Sequence, residues 1–445
     1  MPTLSLVMIV RNEAERLPDC LASVQEIADE IIIGDTGSTD ATVEVARRYG
    51  AQVFPVPWED DFAKARNRVL AEAGGDWLLH LDADEVVDTV SAQRIRAWVD
   101  ADGYGADAVV VTIANYCNNP RAWRWVPCNP HDPYTKGFHG YLETQVIRLF
   151  RNRRGFEYRE RIHENLAASV MEKGGRIRVE AIRIHHYGYD ESAYQCGHKG
   201  DLYFRLAKRK MEEHPTDVKV LQDFAEQALA VGHRKEAVEA CLQILALDPT
   251  NVSACMTLAN LYLIDNRRSE ARALLLGLEQ AGVLLAHQQL ALAAIAYHEG
   301  DAIQASDYLD RAETLQPGNP LVHLYRARIY DLQGNPQAAY ASLQHAYTLL
   351  PSLPEIEKRL TAHKEREYGE RCYTGGKITE ALQAFARALR EDPDDPVLYN
   401  DIGVVYTALG RKDEALTFFQ KALSICAGFA PAQENASCLR LEKTS

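Results

Sequence analysis

The 445-residue sequence predicts an α/β domain on a mixed, mostly parallel sheet, followed by an all-α solenoid of repeats. Three observations predict this. Short apolar runs alternate with helical patterns through about residue 112, a 34-residue spacing of small residues fills the second half, and the chain is too long for one core of ordinary size.

The first domain reads in order. Leu4–Val10 is a continuous apolar strand, and Glu13–Gln25 follows with helical spacing through Leu17, Leu21 and Val24. Ile31–Gly34, Val53–Phe54 and Trp77–Leu81 are the next strands, with helices over Ala41–Tyr49 and Phe62–Ala73 between them. Apolar strands separated by helices mean βαβ units, a parallel sheet, and strand C-termini gathered at one ligand-binding edge. Val109–Ile113, Gln145–Phe150 and Arg176–Ile184 are later strands, and the polar, aromatic stretch from Asn115 to Gly140 is long enough to suggest function.

The second half is read from spacing. Ala237, Ala271, Ala305 and Ala339 lie 34 residues apart; Ala381 follows after 42 and Ala415 after 34. Ala225, Ala259, Ala293, Ala327, Gly369 and Gly403 keep the same intervals, as do Gly232, Asn266, Gly300, Gly334, Gly376 and Gly410. This is the tetratricopeptide period: small residues let two antiparallel helices approach, glycine turns the chain, and Pro249, Pro317, Pro351 and Pro393 close four units. The eight added residues predict an elongated helix around Glu355–Arg371, and Ala430–Lys443 a capping helix. The domain limits are 1–210 and 211–445, the second holding about six repeats plus the cap.

Composition bounds the partners. Hydrophobic residues are 47% and charged residues 25%, with a net charge of −14, which argues against a general nucleic-acid binder. Nine cysteines without a Cys-x-x-Cys pair suit a reducing compartment, so a cytoplasmic location is expected. The run Leu4–Val10 is too short for a signal peptide or a membrane span.

Four clusters carry chemistry. Asp35-Thr-Gly-Ser-Thr-Asp40 follows a strand, where a carboxylate can meet a base or ribose and the helix start a diphosphate; Thr39 is the expected helix N-cap. Asp82-Ala-Asp84-Glu85 ends a buried strand, and its two aspartates can divide between ribose and a divalent cation. Arg66 and Asn67, on the helix before that strand, are placed to reach a uracil or phosphate, or else form the charged face of an ordinary helix. Arg161-Ile-His163-Glu164 and His185-His186-Tyr187-Gly188-Tyr189 offer histidines that suit one metal ligand beside a packing neighbour. Trp123, Trp125, Tyr134, Phe138 and Tyr141 make either an aromatic wall for an acceptor or a packed loop.

In this order the segments resemble the family 2 glycosyltransferases of GT-A, Rossmann-like fold: Ile9 to Glu13, Asp35 to Asp40, Phe62 to Asn67 and Asp82 to Glu85. Arg148-Leu-Phe-Arg-Asn152, Arg161 to Glu164 and His186 to Tyr189 resemble the subgroup containing lipopolysaccharide-core glucosyltransferases and sublancin-type peptide S-glycosyltransferases. The resemblance implies Asp35 at the uracil or ribose with Glu13 and Arg66 assisting, Asp82 at the ribose, and Asp84 and His186 on Mn²⁺ or Mg²⁺. The family's usual Glu-Asp acceptor motif is absent; Glu164 in the corresponding place is the candidate base, with His163 its rival.

The expected function is inverting transfer of a hexose or N-acetylhexosamine from a UDP-sugar to a Cys, Ser or Thr side chain of a peptide or protein held by the repeats. The alternatives are a lipopolysaccharide or other glycan acceptor, and a non-catalytic repeat scaffold with a degenerate first domain. A sugar nucleotidyltransferase would want a Gly-rich basic loop that Val10 to Glu13 does not supply. A homodimer is possible.

Overall fold

A computed structural model describes every residue except 123, 130, 162–163, 189–197 and 445. Two compact units emerge: residues 1–117 with 128–210, and residues 118–127 with 211–445.

In the first unit the apolar runs become strands β1 (Leu4–Val10), β2 (Glu30–Asp35), β3 (Gln52–Pro55) and β4 (Trp77–His80), and the longer later strands are β6 (Ala108–Tyr116), β8 (Gly140–Arg151) and β9 (Ile177–His186). A three-residue strand, β5 (Glu85–Val87), follows the acidic turn. The sheet order is β3-β2-β1-β4-β8-β6-β9-β5, and the short β7 (Trp125–Pro127) lies off this path. Strands β1 to β4 run parallel, β8 is antiparallel to β4 and β6, and β5 is antiparallel to β9. Leu6, Ile33 and Leu79 on one face and Val7, Ile32 and Leu78 on the other are all buried, so both faces of the parallel part are covered, as continuous apolar strands require.

The helices are shorter than the periodicity suggests. α1 is Leu17–Val24, because residues 11–16 form a loop in which Asn12 takes φ 56. α2 is Thr42–Arg48, and its start corrects the expected cap. Thr39 donates its N–H to Asn12 Oδ1 at 2.7 Å, whereas Asp40 Oδ1 accepts from the Thr42 N–H at 2.9 Å. Asp40, one residue nearer the helix, supplies that acceptor, and Ala41 at the cap itself makes no side-chain bond. α3 (Phe62–Glu72) is capped by Asp61, whose side chain accepts from the Lys64 N–H, and α4 (Thr89–Asp100), α5 (Ala167–Glu172) and α6 (His198–Glu213) follow.

The second unit holds, among the described residues, six helix pairs from α7 (Val218–Ala230) to α18 (Lys412–Ile425), then α19 (Ala430–Thr444). The first helices of pairs three to six are α11 (Ala286–Glu299), α13 (Pro320–Leu332), α15 (Pro354–Thr374) and α17 (Pro396–Ala408). α15 has 21 residues where α13 and α17 have 13, the two added turns foreseen from the 42-residue interval. All six turn positions have positive φ, Asn266 at 59° included, a conformation asparagine tolerates better than most residues.

Packing explains the alternation of alanine and glycine in the second register. Sixteen residues after Ala225, Ala259, Ala293 and Ala327 come Cys241, Leu275, Leu309 and Leu343; after Gly369 and Gly403 come Phe385 and Phe419. All six partners are buried. A Cβ on Gly403 would lie 2.5 Å from the Phe419 ring, and one on Gly369 2.7 Å from Phe385. The larger partner therefore demands the missing methyl.

The array also meets itself. The Ala427 N–H donates to His298 O at 2.9 Å, His298 Nδ1 lies 2.9 Å from Ile425 O, and Gly300 packs against Gly428. The first helices of repeats four to six carry a buried ionic network. Arg359 bonds Asp331 and Asp392 at 3.3 and 3.0 Å, and Arg366 bonds Asp331 and Asp401 at 3.3 and 2.9 Å. Asp331, Arg359, His363, Arg366, Asp392 and Asp395 line a small cavity there.

Gly403→Ala is expected to cost about 1–3 kcal/mol through overpacking. Phe419→Leu in the same chain should restore most of that loss. Melting of the helical circular-dichroism signal checks both, and equal stability of Gly403→Ala and the parent would contradict the volume match.

Candidate active site

The parallel register sets the site's frame. Val10 pairs with Asp35 across β1 and β2, and Val7 pairs with His80 across β1 and β4. The carboxylates ending β2 and following β4 thus sit at one sheet edge, two strand spacings or about 10 Å apart.

The Asp35 loop is stapled to the loop after β1. The Asp35 carboxylate accepts from the Ser38 N–H at 3.1 Å, and Gly37 takes φ 107 to allow it. The Asn12 N–H donates to Ser38 Oγ, the Glu13 N–H to Thr42 Oγ1 at 2.8 Å, and the Ala14 N–H to Asp40 Oδ2. Glu13 and Asp35 consequently border the same edge. Arg16 lies 4.0 Å from both Glu13 and Asp84.

Asp82 is gripped from two sides. Its Oδ1 accepts from Arg66 at 3.0 Å and its Oδ2 from Arg148 at 3.0 Å. Burial alone would raise its pKa, but the two guanidinium groups hold it well below the usual carboxylate range. Arg148 also bonds Glu85 Oε1 at 2.6 Å, and the Asp82 N–H donates to Glu85 Oε2 at 2.9 Å. Glu85 is 2% exposed, and burial pushes its carboxyl up against the pull of Arg148. Between the two arginines stands His80, bonded to Arg66 and Arg148 and to the Tyr158 hydroxyl at 2.8 Å. Burial and the two cations keep its pKa well below the ordinary value, so the imidazole is neutral at pH 7.

Arg66 has a second carboxylate. Its Nε donates to Glu164 Oε1 at 2.6 Å. Glu164 sits on a small hairpin closed by reciprocal backbone bonds between Arg159 and Asn165. Asn67 pins that hairpin: its Nδ2 donates to Tyr158 O, and its Oδ1 accepts from the Tyr158 N–H, both at 2.8 Å. The side chain expected to reach the nucleotide instead spends its amide on the backbone that presents Glu164. His163 lies outside the described residues.

Asp84 faces the far end of the sheet. Because β5 pairs with β9, Glu85 lies beside His186, and His186 Nε2 comes 3.3 Å from Asp84 Oδ2. His186 Nδ1 is 2.7 Å from Asn115 Oδ1. A Cβ on Gly188 would fall 1.8 Å from Asp84 Oδ2, so only glycine leaves room for that carboxylate. Among the described residues no three or more His, Cys, Asp or Glu side chains form a ready-made metal cage. Asp84 and His186 are the carboxylate and imidazole there that could hold a divalent ion.

The aromatic segment is packed. Tyr134 stacks on His185 at 4.6 Å, Tyr187 on Tyr116 at 5.2 Å, and Phe138 and Tyr141 close around Tyr116. Trp125 is 1% exposed and groups with the repeats; Trp123 lies outside the described residues. His185 takes the packing role foreseen for one of the paired histidines: its Nδ1 bonds the Tyr116 hydroxyl and its Nε2 lies 3.3 Å from Asp88.

His80, Glu85, Arg148, Tyr158 and Asn115 were not singled out as site residues from the sequence. A signal existed for two of them: Arg148 interrupts the apolar strand Val146–Phe150, and His80 stands inside Trp77–Leu81. A charged or polar side chain on a buried strand demands a partner.

Comparison with known proteins agrees with this geometry. Residues 5–165 match the family described as Glycosyl transferase family 2, and residues 373–431 match a tetratricopeptide repeat family. A TPR repeat-containing protein of Synechococcus elongatus is 29% identical over 433 residues, covering 95% of this chain and 93% of that one. The SPbeta prophage-derived glycosyltransferase SunS of Bacillus subtilis is 24% identical over 241 residues, covering 54% of this chain and 52% of that one. An uncharacterized glycosyltransferase of Rickettsia bellii is 40% identical over 147 residues, covering 32% of this chain and 49% of that one. Among the described residues no helix is long and apolar enough to cross a membrane. The chain joins a glycosyl transferase family 2 domain to C-terminal tetratricopeptide repeats.

Proposed function

We propose that this chain is an inverting, metal-dependent hexosyltransferase that moves a hexose or N-acetylhexosamine from a UDP-sugar to a peptide or protein side chain. The observation that supports it best is the convergence of Asp84 on His186 at 3.3 Å, next to an Asp82 held ionised by Arg66 and Arg148.

Asp84 and His186 would hold Mn²⁺ or Mg²⁺, which when bound neutralises charge developing on the departing diphosphate. Asp82, kept as a carboxylate by its two arginines, accepts from a ribose hydroxyl. Asp35 and Glu13 border the base and ribose end. Glu164 has one oxygen on Arg66; the other takes the acceptor's proton as the acceptor attacks the anomeric carbon opposite the diphosphate. A single displacement of this kind inverts the anomeric configuration. Tetratricopeptide repeats support a protein or peptide acceptor.

Three outcomes are expected. Asp84→Ala loses metal-dependent UDP-sugar hydrolysis and transfer by ~100-fold or more, about 2.7 kcal/mol; an unaffected variant contradicts the site. Glu164→Gln keeps donor affinity, measured by calorimetry, while transfer falls ~10²–10⁴-fold; undiminished transfer removes Glu164 as the base. UDP with Mn²⁺ at about 100 times its Kd stabilises the protein by about 2.7 kcal/mol, read as a shift in melting temperature. No shift with any nucleotide sugar would favour a non-catalytic scaffold.

A further inference from the structure

Asn115 lies on β6, between β8 and β9 in the sheet, and pairs with Leu142 on one side and His186 on the other. Its side chain bridges both neighbours. The Asn115 nitrogen lies 3.0 Å from Leu142 O and 3.1 Å from Thr144 Oγ1, while its oxygen faces His186 Nδ1 at 2.7 Å. Leu142 O can only accept, so the amide nitrogen must point at it. The amide oxygen is thereby forced toward His186, and an oxygen acceptor requires a proton on Nδ1. The neutral imidazole has one N–H, so Nε2 is left with its lone pair. Nε2 faces Asp84 Oδ2 at 3.3 Å, so a cation shared with Asp84 would take that lone pair.

We propose that Asn115 is a positioning residue that fixes the His186 tautomer and ring plane, so that Nε2 is presented as a donor atom to a divalent cation shared with Asp84. The inference rests on the reading of Asp84 and His186 as the cation's protein ligands. A backbone carbonyl on β8 sets the amide, the amide sets the imidazole, and the imidazole completes the donor pair. Ring orientation by such an outer hydrogen bond is worth ~10–100-fold in metal affinity.

The test titrates the full-length protein with Mn²⁺ in the presence of UDP, following free Mn²⁺ by electron paramagnetic resonance. Asn115→Leu and His186→Ala should each weaken Mn²⁺ binding ~10–100-fold. Asn115→Asp keeps an acceptor toward Nδ1 and should stay within about threefold of the parent. The protein loaded with Mg²⁺ and UDP provides a second readout. Long-range ¹H–¹⁵N correlation of the His186 ring should show the Nδ1–H form alone in the parent and in Asn115→Asp, and both tautomers in Asn115→Leu. If His186→Ala weakens Mn²⁺ binding but Asn115→Leu does not, the positioning role is overturned while the metal site stands. If His186→Ala leaves Mn²⁺ binding intact, the metal assignment falls, and the proposal with it. A parent protein carrying the Nε2–H form overturns the tautomer argument whatever the metal does.

Discussion

The grip of Arg66 and Arg148 on Asp82 is the constraint around which the first unit is organised. Both guanidinium groups are buried, and a buried cation survives only when carboxylates satisfy it. Asp82, Glu85 and Glu164 do so, through four bonds between 2.6 and 3.0 Å. Removing any one partner strands a charge in a low dielectric, at a cost of several kcal/mol. The order of the sheet follows from the same requirement. Arg148 reaches Asp82 because β8 pairs directly with β4, and Arg66 reaches it because α3 leads into β4. Two guanidinium groups nevertheless face three carboxylates, with Asp84 nearby. That negative excess is what a divalent cation would offset.

The acidic turn does more than end a strand. β4 stands fourth in the sheet and β5 last, so residues 81–84 carry the chain across the ends of the strands between them. This displacement separates the two aspartates by function. Asp82 stays with the arginines, and Asp84 is delivered to His186 and Gly188. Two carboxylates two residues apart on a continuing strand would point to the same face. Here they serve different neighbours because the chain changes place in the sheet between them.

The period-dependent parts of the fold were legible in the sequence, and the parts fixed by strand pairing were not. Apolar runs located β1 to β4, and small residues at 34-residue intervals located the repeats, because each pattern is a local imprint of burial. Asp82 drew notice for a related reason: it directly follows the apolar strand Trp77–Leu81. Arg148 and Asn115 act through neighbours across the sheet, and His80 through Arg148, Arg66 of α3 and Tyr158. No local spacing records that β8 lies antiparallel between β4 and β6, or that Asn115 faces Leu142 on one side and His186 on the other. Asn67 shows the converse error. Its place beside Arg66 suggested a nucleotide contact, but one residue of helix turns it toward the Tyr158 backbone instead. The aromatic stretch left two readings open by composition, and the packed one is observed: Tyr134, Phe138 and Tyr141 find partners in His185, Tyr187 and Tyr116.

The irregular interval in the repeats has a physical reason of its own. Eight added residues lengthen α15 at its N-terminal end, and the extension carries Arg359 two turns before Arg366, on the same helix face. Arg359 reaches back to Asp331 of the preceding repeat and forward to Asp392 at the end of its own. Arg366 joins the same Asp331 to Asp401 of the next repeat. A standard 34-residue unit would have no residue at the Arg359 position, and Asp331 and Asp392 would each lose a buried cation. The insertion therefore ties three successive repeats through one helix. Contacts between neighbouring repeats are otherwise mostly apolar and would allow the array to flex. With Ala427 bonded to His298, the tied segment is also joined back to the third repeat. This half of the array is thus built to hold one curvature, where an open solenoid would adapt its inner face to a ligand.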